Sequence, residues 1–429
     1  MNTELRTILS EWRERRLPEI IRRDQSLDTE DEGGLRKATV VTGFRRSGKT
    51  YLLFAAIKKL LAKYSREEVI YVNFEDERIP QKTEILSQLL PEIRAVFGKK
   101  PRYLFLDEVQ NIPNWSRWLR RILDTQEMKI FVTGSSSKMS SFELPTELRG
   151  RAWEVKVYPL NFQEFLRFKN KSFDWQRLSY LPEQKAELDF NFDEFLVHGS
   201  LPEVVLAKPE KKQELLQSYF QTVVRKEIIE RFRLRNEESL KTLLKLLLNS
   251  TSITVSKLYN SLKSLGISVG KTAVNNYIAY IESSYFLKQL FYYSPSMRSQ
   301  LQYPRKVYFI DNGFITALST KFSKNYGRLF ENFVFWQLRK IHEDLFYFRD
   351  DRGKEVDFVV MKDGRVESLY QVCFDLSDIE TKEREIKSLL QAAKKFGCKN
   401  LFLVTKDALK EKGKTNRIRY LSLIDLIKS

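Results

Sequence analysis

The residues Gly43-Phe44-Arg45-Arg46-Ser47-Gly48-Lys49-Thr50 fit the spacing G-x-x-x-x-G-K-[ST]. A loop of that pattern wraps a nucleotide's phosphates with its backbone N–H groups. Gly43 and Gly48 let the chain turn tightly, and the N–H groups from Phe44, Arg45, Arg46 and Ser47 onward are presented to the phosphates. Lys49 can reach the β- and γ-phosphates, and the Thr50 hydroxyl can ligate Mg²⁺. A second element lies downstream, where Tyr103-Leu104-Phe105-Leu106 runs into Asp107-Glu108. Asp107 is placed to hold the Mg²⁺ shell and Glu108 to polarise the attacking water as catalytic base. An apolar strand with a solvated acidic end is the plain alternative for this segment. The loop upstream tips the pair toward an ATP- and Mg²⁺-dependent hydrolase.

Further groups are candidates for the same chemistry. The run Thr133-Gly134-Ser135-Ser136-Ser137 follows a short apolar stretch, and Thr133 or Ser135 can sense the γ-phosphate or the attacking water. A Gly-Ser turn without a role is the competing reading. Glu147-Leu148-Arg149-Gly150-Arg151 offers Arg149 or Arg151 as an arginine that enters a neighbour's site to neutralise transition-state charge. Two solvated arginines are the competing reading there.

These groups need a scaffold that brings strand ends to one edge. Apolar runs at 38–42, 69–74, 103–107, 129–133 and 153–157 alternate with helical patterns. That alternation predicts a parallel sheet covered by helices, an α/β P-loop NTPase fold with its loop entering a helix N-terminus. The expected domains are 1–157 for this core with an N-terminal basic helix, 158–235 for a helical lid, 236–313 for a winged helix, and 314–429 for a further α/β domain.

The winged helix is read from two helices, Thr254–Ser264 and Gly270–Ser283, followed by strands Phe286–Tyr293 and Lys306–Asp311. Val274, Tyr277, Ile278 and Ile281 share one face of the second helix at i, i+3, i+4, i+7 spacing. Lys271, Asn275 and Asn276 fall on the other face, and a basic loop carries Arg298 and Arg305. A second helix of this kind can read a DNA groove, although the same fold also docks protein or serves as a spacer. The chain's 74 Lys+Arg against 56 Asp+Glu, net +18, favours a polyanionic partner such as DNA.

In the last hundred residues Glu331 lies on a helix, Glu355 and Asp357 begin a strand, and Gln371-Val372-Cys373 ends the next one. A helical acid, a strand acid and E-x-K on the following strand make a metal-dependent nuclease site. Here Gln371 stands where a carboxylate is needed and Cys373 where a lysine is needed, so the constellation is degenerate. Lys362, at the end of the preceding strand, is the candidate substitute cation.

Two cysteines, Cys373 and Cys398, and two histidines, His198 and His342, leave no disulfide framework or Cys/His zinc set. No stretch approaches the roughly 18 apolar residues of a membrane span, so a cytoplasmic protein is expected.

Taken in order, these motifs resemble those of prokaryotic ATPases of the AAA superfamily with a C-terminal domain of unknown function (the DUF4143 type), of restriction-endonuclease-like fold. The resemblance rests on Gly43–Thr50, Leu104–Glu108 followed by Gln110-Asn111-Ile112-Pro113-Asn114-Trp115, Thr133–Ser137, Leu148–Arg151, Asp311-Asn312-Gly313 and Glu355–Phe358. It implies an ATPase core, a winged helix, a nuclease-like tail and assembly into rings. The expectation is an oligomeric, Mg²⁺-dependent ATPase that remodels or translocates on DNA. A nucleotide-gated switch or scaffold, and an ATP-regulated nuclease, are the alternatives.

Overall fold

A computed structural model describes residues 3–30, 36–134, 148, 150–319, 325–407 and 417–428. The chain divides into two compact units. The first comprises residues 1–171 with the short pieces 201–203 and 283–285. The second holds the remaining residues from 172 to 429.

In the first unit the expected strands form as β1 Ala38–Gly43, β2 Val69–Asn73, β3 Tyr103–Asp107, β4 Lys129–Gly134 and β5 Ala152–Val157. They pair in the order β2-β3-β4-β1-β5, every pairing parallel. β1 and β3 are buried along their whole length, as strands covered on both faces must be. Helices α1 Thr3–Glu14, α2 Lys49–Leu61, α3 Glu84–Phe97 and α4 Trp115–Thr125 accompany the sheet. Trp115, Trp118, Leu119, Ile122 and Leu123 form the buried stripe of α4, at the helical period. Helix α5, Phe162–Phe168, also belongs to this unit and starts from a capping box between Asn161 and Glu164.

Register fixes the active edge. Phe105 of β3 lies opposite Phe131 of β4, and their rings stack at 4.5 Å. Such a pair contributes about 0.5–1.5 kcal/mol beyond its buried area. Two residues further along each strand, that register brings Asp107 beside Thr133.

The second unit holds α6 Pro182–His198, α7 Pro209–Thr222, a π-helical continuation Val223–Glu230, and α8 Glu237–Leu248. The segment expected to form a winged helix follows as β6 Ser252–Ile253, α9 Val255–Ser264, α10 Lys271–Ser283, β7 Leu287–Leu290, α11 Met297–Gln302 and β8 Arg305–Phe309. Val274, Tyr277, Ile278 and Ile281 are buried on α10, as their spacing requires. The basic loop differs from expectation, because Ser296 accepts a hydrogen bond from the Ser299 N–H and caps α11 inside it.

After α12 Asn312–Leu318 and α13 Tyr326–Ile341 come β9 Leu345–Arg349, β10 Glu355–Lys362, β11 Arg365–Val372, α14 Ile379–Phe396, β12 Asn400–Val404 and β13 Ile418–Leu421. Their sheet runs β13-β12-β11-β10-β9, antiparallel from β9 to β11 and parallel from β11 to β13. A small core of Phe348, Val356, Val359, Leu369, Leu389 and Leu403 joins α14 to this sheet. Asp311 accepts from the N–H groups of Ser200 (2.6 Å) and Gly313 (2.8 Å), so Asp311-Asn312-Gly313 acts as a structural cap. No described helix is long and apolar enough to cross a membrane.

Candidate nucleotide-binding site

The loop leaves β1 at Gly43, whose φ of 144° and position leave no space for a side chain. A Cβ there would stand 2.2 Å from the Val157 carbonyl oxygen of β5. Gly48 has φ 99° and forms the N-cap of α2, turning that helix's free N–H groups toward the loop. Lys49 is buried, and its Nζ donates to the loop carbonyls of Gly43 (3.1 Å) and Phe44 (3.2 Å). Ser47 is also buried, and its Oγ finds no partner among the described residues. An orphaned buried hydroxyl beside a buried ammonium and a helix N-terminus is a site fitted to an anion.

The acids meet the loop through hydroxyl groups. Thr50 Oγ1 and the Tyr71 hydroxyl each donate to Asp107 Oδ2 at 2.8 Å, and Thr133 Oγ1 donates to Asp107 Oδ1. Thr133 Oγ1 also accepts from the Glu108 N–H at 2.9 Å. Burial, followed by the neighbouring Glu108 charge, pushes the Asp107 carboxyl above its usual range against those three donors. The same burial and the Asp107 charge raise the Tyr71 hydroxyl, which stays protonated and donating. A buried carboxylate next to a threonine hydroxyl fits a divalent ion. Glu108 sits at φ 53°, and its Oε2 accepts from the Gln110 side-chain amide.

Sequence reasoning missed two groups here. Arg23 Nη1 donates to the Ser47 carbonyl at 2.8 Å, while Nε and Nη2 grip the buried Glu164 carboxylate at 2.9 and 3.0 Å. Nη2 also reaches the Tyr158 carbonyl at 3.0 Å, so one guanidinium ties the loop to the segment after β5. Gln110 is the other, and in the sequence it is only one member of the run Gln110–Trp115. No spacing rule picks out Arg23 among the N-terminal arginines.

Two predicted groups, Ser135 and Arg149, lie outside the described residues. Arg151 pairs with Asp124 at 2.9 Å within its own unit. Arg45 pairs with Glu75 at 2.7 Å, and Arg46, at φ 67°, is exposed.

In the second unit Lys271, Asn275 and Asn276 are exposed together on α10, and Arg298 is exposed on α11. Arg305 is half-buried, donates to Gln289 Oε1 at 2.9 Å, and lies over the Phe291 ring. Its place among the exposed wing cations is therefore corrected.

Glu331, Glu355 and Asp357 do converge, but on Lys306 of β8. Gln371 does not join them; its amide donates to Glu385 Oε2 of α14 at 2.6 Å. Burial pushes the Cys373 thiol up to about 11, so it is neutral. Lys362 is corrected as the substitute cation, since it is 66% exposed and pairs with Glu367 at 3.7 Å.

Comparison with known proteins decides the lineage. An AAA domain matches residues 35–166, a domain of unknown function (DUF8612) residues 189–325, and a second (DUF4143) residues 326–423. An uncharacterized protein of Methanocaldococcus jannaschii is 36% identical over 86% of this chain and 81% of its own length. The chain belongs to the prokaryotic AAA-domain ATPases with a C-terminal DUF4143 domain. Another member-like relative, an uncharacterized protein of Haemophilus influenzae, is 27% identical over 79% of this AAA ATPase and 83% of itself. Among solved structures, the Walker-type ATPase of Pyrococcus abyssi is 14% identical with a TM-score of 0.46, covering 71% of this chain and 99% of its own. The Aeropyrum pernix ORC1 protein, solved in complex with DNA, is 14% identical with a TM-score of 0.29 over 73% and 91%. Neither score transfers a property to this AAA ATPase.

Proposed function

We propose that this AAA ATPase is a Mg²⁺-dependent enzyme that acts on DNA as an oligomer, remodelling it or moving along it. The observation that carries the catalytic part is the hydroxyl chain from Thr50 through Asp107 to Thr133 and the Glu108 backbone. It links the loop helix to the strand bearing both acids, across the intervening strand β4. Lys49 leaves its two carbonyl partners to neutralise phosphate charge, and Ser47 gains a partner for its hydroxyl. Thr50 and Asp107 are the residues that would hold the metal, which would supply charge screening at the phosphate oxygens. Glu108 takes the proton side of the attacking water, and Thr133 fixes where Glu108 begins.

The DNA part rests on the winged-helix segment and on the chain's excess of 18 positive charges. Lys271, Asn275, Asn276 and Arg298 form the proposed DNA face. Arg305 is not part of it, being engaged with Gln289 and Phe291. Oligomerisation is proposed so that Arg149 or Arg151 completes a neighbour's site.

A nucleotide-gated switch is the second reading, and the contact between Gln110 and Glu108 favours it, because a restrained base slows turnover. ATP turnover measured with and without single-stranded, duplex and branched DNA, beside particle mass in ATP, separates the two. Stimulation by DNA in an assembled particle supports the motor. A DNA-independent rate in a monomer contradicts it.

The C-terminal domain is read as one that binds or assembles. Gln371 committed to Glu385 and a neutral Cys373 thiol leave its nuclease-like constellation without the third carboxylate and the strand lysine.

A further inference from the structure

Lys306 stands where three carboxylates meet. Its Nζ lies 2.9 Å from Glu331 Oε1, 2.7 Å from Glu355 Oε1 and 2.9 Å from Asp357 Oδ1. A lysine ammonium has three N–H donors, and here it donates hydrogen bonds to Glu331 and Asp357 while Glu355 joins as an ion pair. The acids are themselves anchored. The Tyr308 hydroxyl donates to Glu331 Oε1 at 2.7 Å, and the Val372 N–H donates to Asp357 Oδ2 at 2.9 Å. Burial alone would strip the proton from Lys306, but Asp357, Glu331 and Glu355 outweigh it and hold its pKa well above the ordinary lysine value.

The geometry differs from that of a metal centre. Mg²⁺ takes oxygens at about 2.0–2.1 Å, so a metal at this point requires the ammonium to leave and the acids to close in by roughly 0.7 Å. The two groups that would extend a metal site are also diverted, Gln371 toward Glu385 and Cys373 toward the Asp375 carbonyl at 2.9 Å. A cavity of about 710 Å³ is lined by Lys306 and all three acids, with Tyr303 and Arg349 on its wall, so the cluster is reachable from solvent.

We propose that Lys306 is the resident cation of this constellation, a built-in ammonium that replaces a divalent metal and ties the wing strand β8 to α13 and β10. The domain thereby keeps the shape of a nuclease-like centre while excluding the ion that cleavage would need. The cation comes from the winged-helix segment, so that segment and the C-terminal sheet are held by one charge cluster. This goes beyond the ATPase reading and does not rest on it, because its test uses no nucleotide.

The test is Mn²⁺ binding to the full nucleotide-free chain, followed by electron paramagnetic resonance, in four proteins. These are the parent, Asp357→Asn, Lys306→Ala and the Lys306→Ala/Asp357→Asn double variant. The P-loop background is the same in all. The parent and Asp357→Asn are expected to bind equal Mn²⁺. Lys306→Ala is expected to bind one ion more per chain, and the double variant to lose it. A parent Mn²⁺ signal that disappears in Asp357→Asn overturns the proposal, as does a folded Lys306→Ala chain that gains no ion. Should Lys306→Ala fail to fold, the parent and Asp357→Asn pair decides alone: equal binding supports the resident lysine, and unequal binding overturns it.

Discussion

Gln110 donates its side-chain amide to the carboxylate of Glu108 two residues before it, so the proposed catalytic base is held by its own neighbour. The other end of that amide, Gln110 Oε1, is buried without a partner among the described residues. Glu108 must be released before it can orient water. Gln110→Ala is therefore expected to raise basal ATP turnover about three- to tenfold, the equivalent of one hydrogen bond to a charged group partly recovered. The KM for ATP should stay constant. A fall in turnover would show that Gln110 positions Glu108 instead of restraining it.

Arg23 should control the loop from outside the motif. Removing one partner from a buried ion pair costs about 3–5 kcal/mol, because the remaining charge is left unpaired. Arg23→Ala is expected to destabilise the first unit by that order, measured by denaturant unfolding, and to raise the KM for ATP. Arg23→Lys keeps the charge but cannot grip Glu164 with a planar fork while reaching the Ser47 carbonyl, so it should restore only part of the stability. Unchanged unfolding and KM in Arg23→Ala would remove the clamp from the account.

Arg151 is paired with Asp124 inside its own unit, and acting on a neighbour means leaving that partner. If assembly completes the site, Arg149→Ala/Arg151→Ala protomers and Lys49→Ala protomers, each inactive alone, regain activity when mixed. Where a trans-acting arginine operates, its loss lowers turnover by as much as roughly 10³–10⁵-fold. Full activity in a strictly monomeric preparation contradicts the idea.

The proposed DNA face predicts a salt signature. Arg298→Glu and Lys271→Glu should weaken DNA binding similarly for all sequences, and each should reduce the slope of log affinity against log salt by about one. Arg305→Glu should act on stability instead, because its guanidinium is engaged with Gln289 and Phe291. An unchanged slope in both exposed variants would make the winged-helix segment a protein-docking or spacer element.

Much of the fold was legible because its signals are local. The strands of the first sheet are continuous apolar runs, and the loop motif is contiguous, so Lys49, Thr50, Asp107 and Glu108 stand out as candidates from the sequence alone. The face of α10 was legible for the same reason, from the period of Val274, Tyr277, Ile278 and Ile281. What escaped depends on tertiary meetings. Arg23 reaches Glu164 across 141 positions, and nothing near either residue announces the other. In the sequence Lys306 is only the first residue of a wing strand, since its partners at 331, 355 and 357 lie on other elements. The cap at Ser296 is a local signal that lies within a loop of basic composition.

The central claim is that the loop binds nucleotide while Glu108 drives its hydrolysis, and one paired measurement tests it most directly. ATP binding and ATP turnover are compared in the parent, Lys49→Ala and Glu108→Gln. The account predicts that Lys49→Ala loses binding, whereas Glu108→Gln binds ATP as the parent does and turns it over about 10²–10⁴-fold more slowly. Glu108→Gln hydrolysing ATP at the parent rate would contradict it.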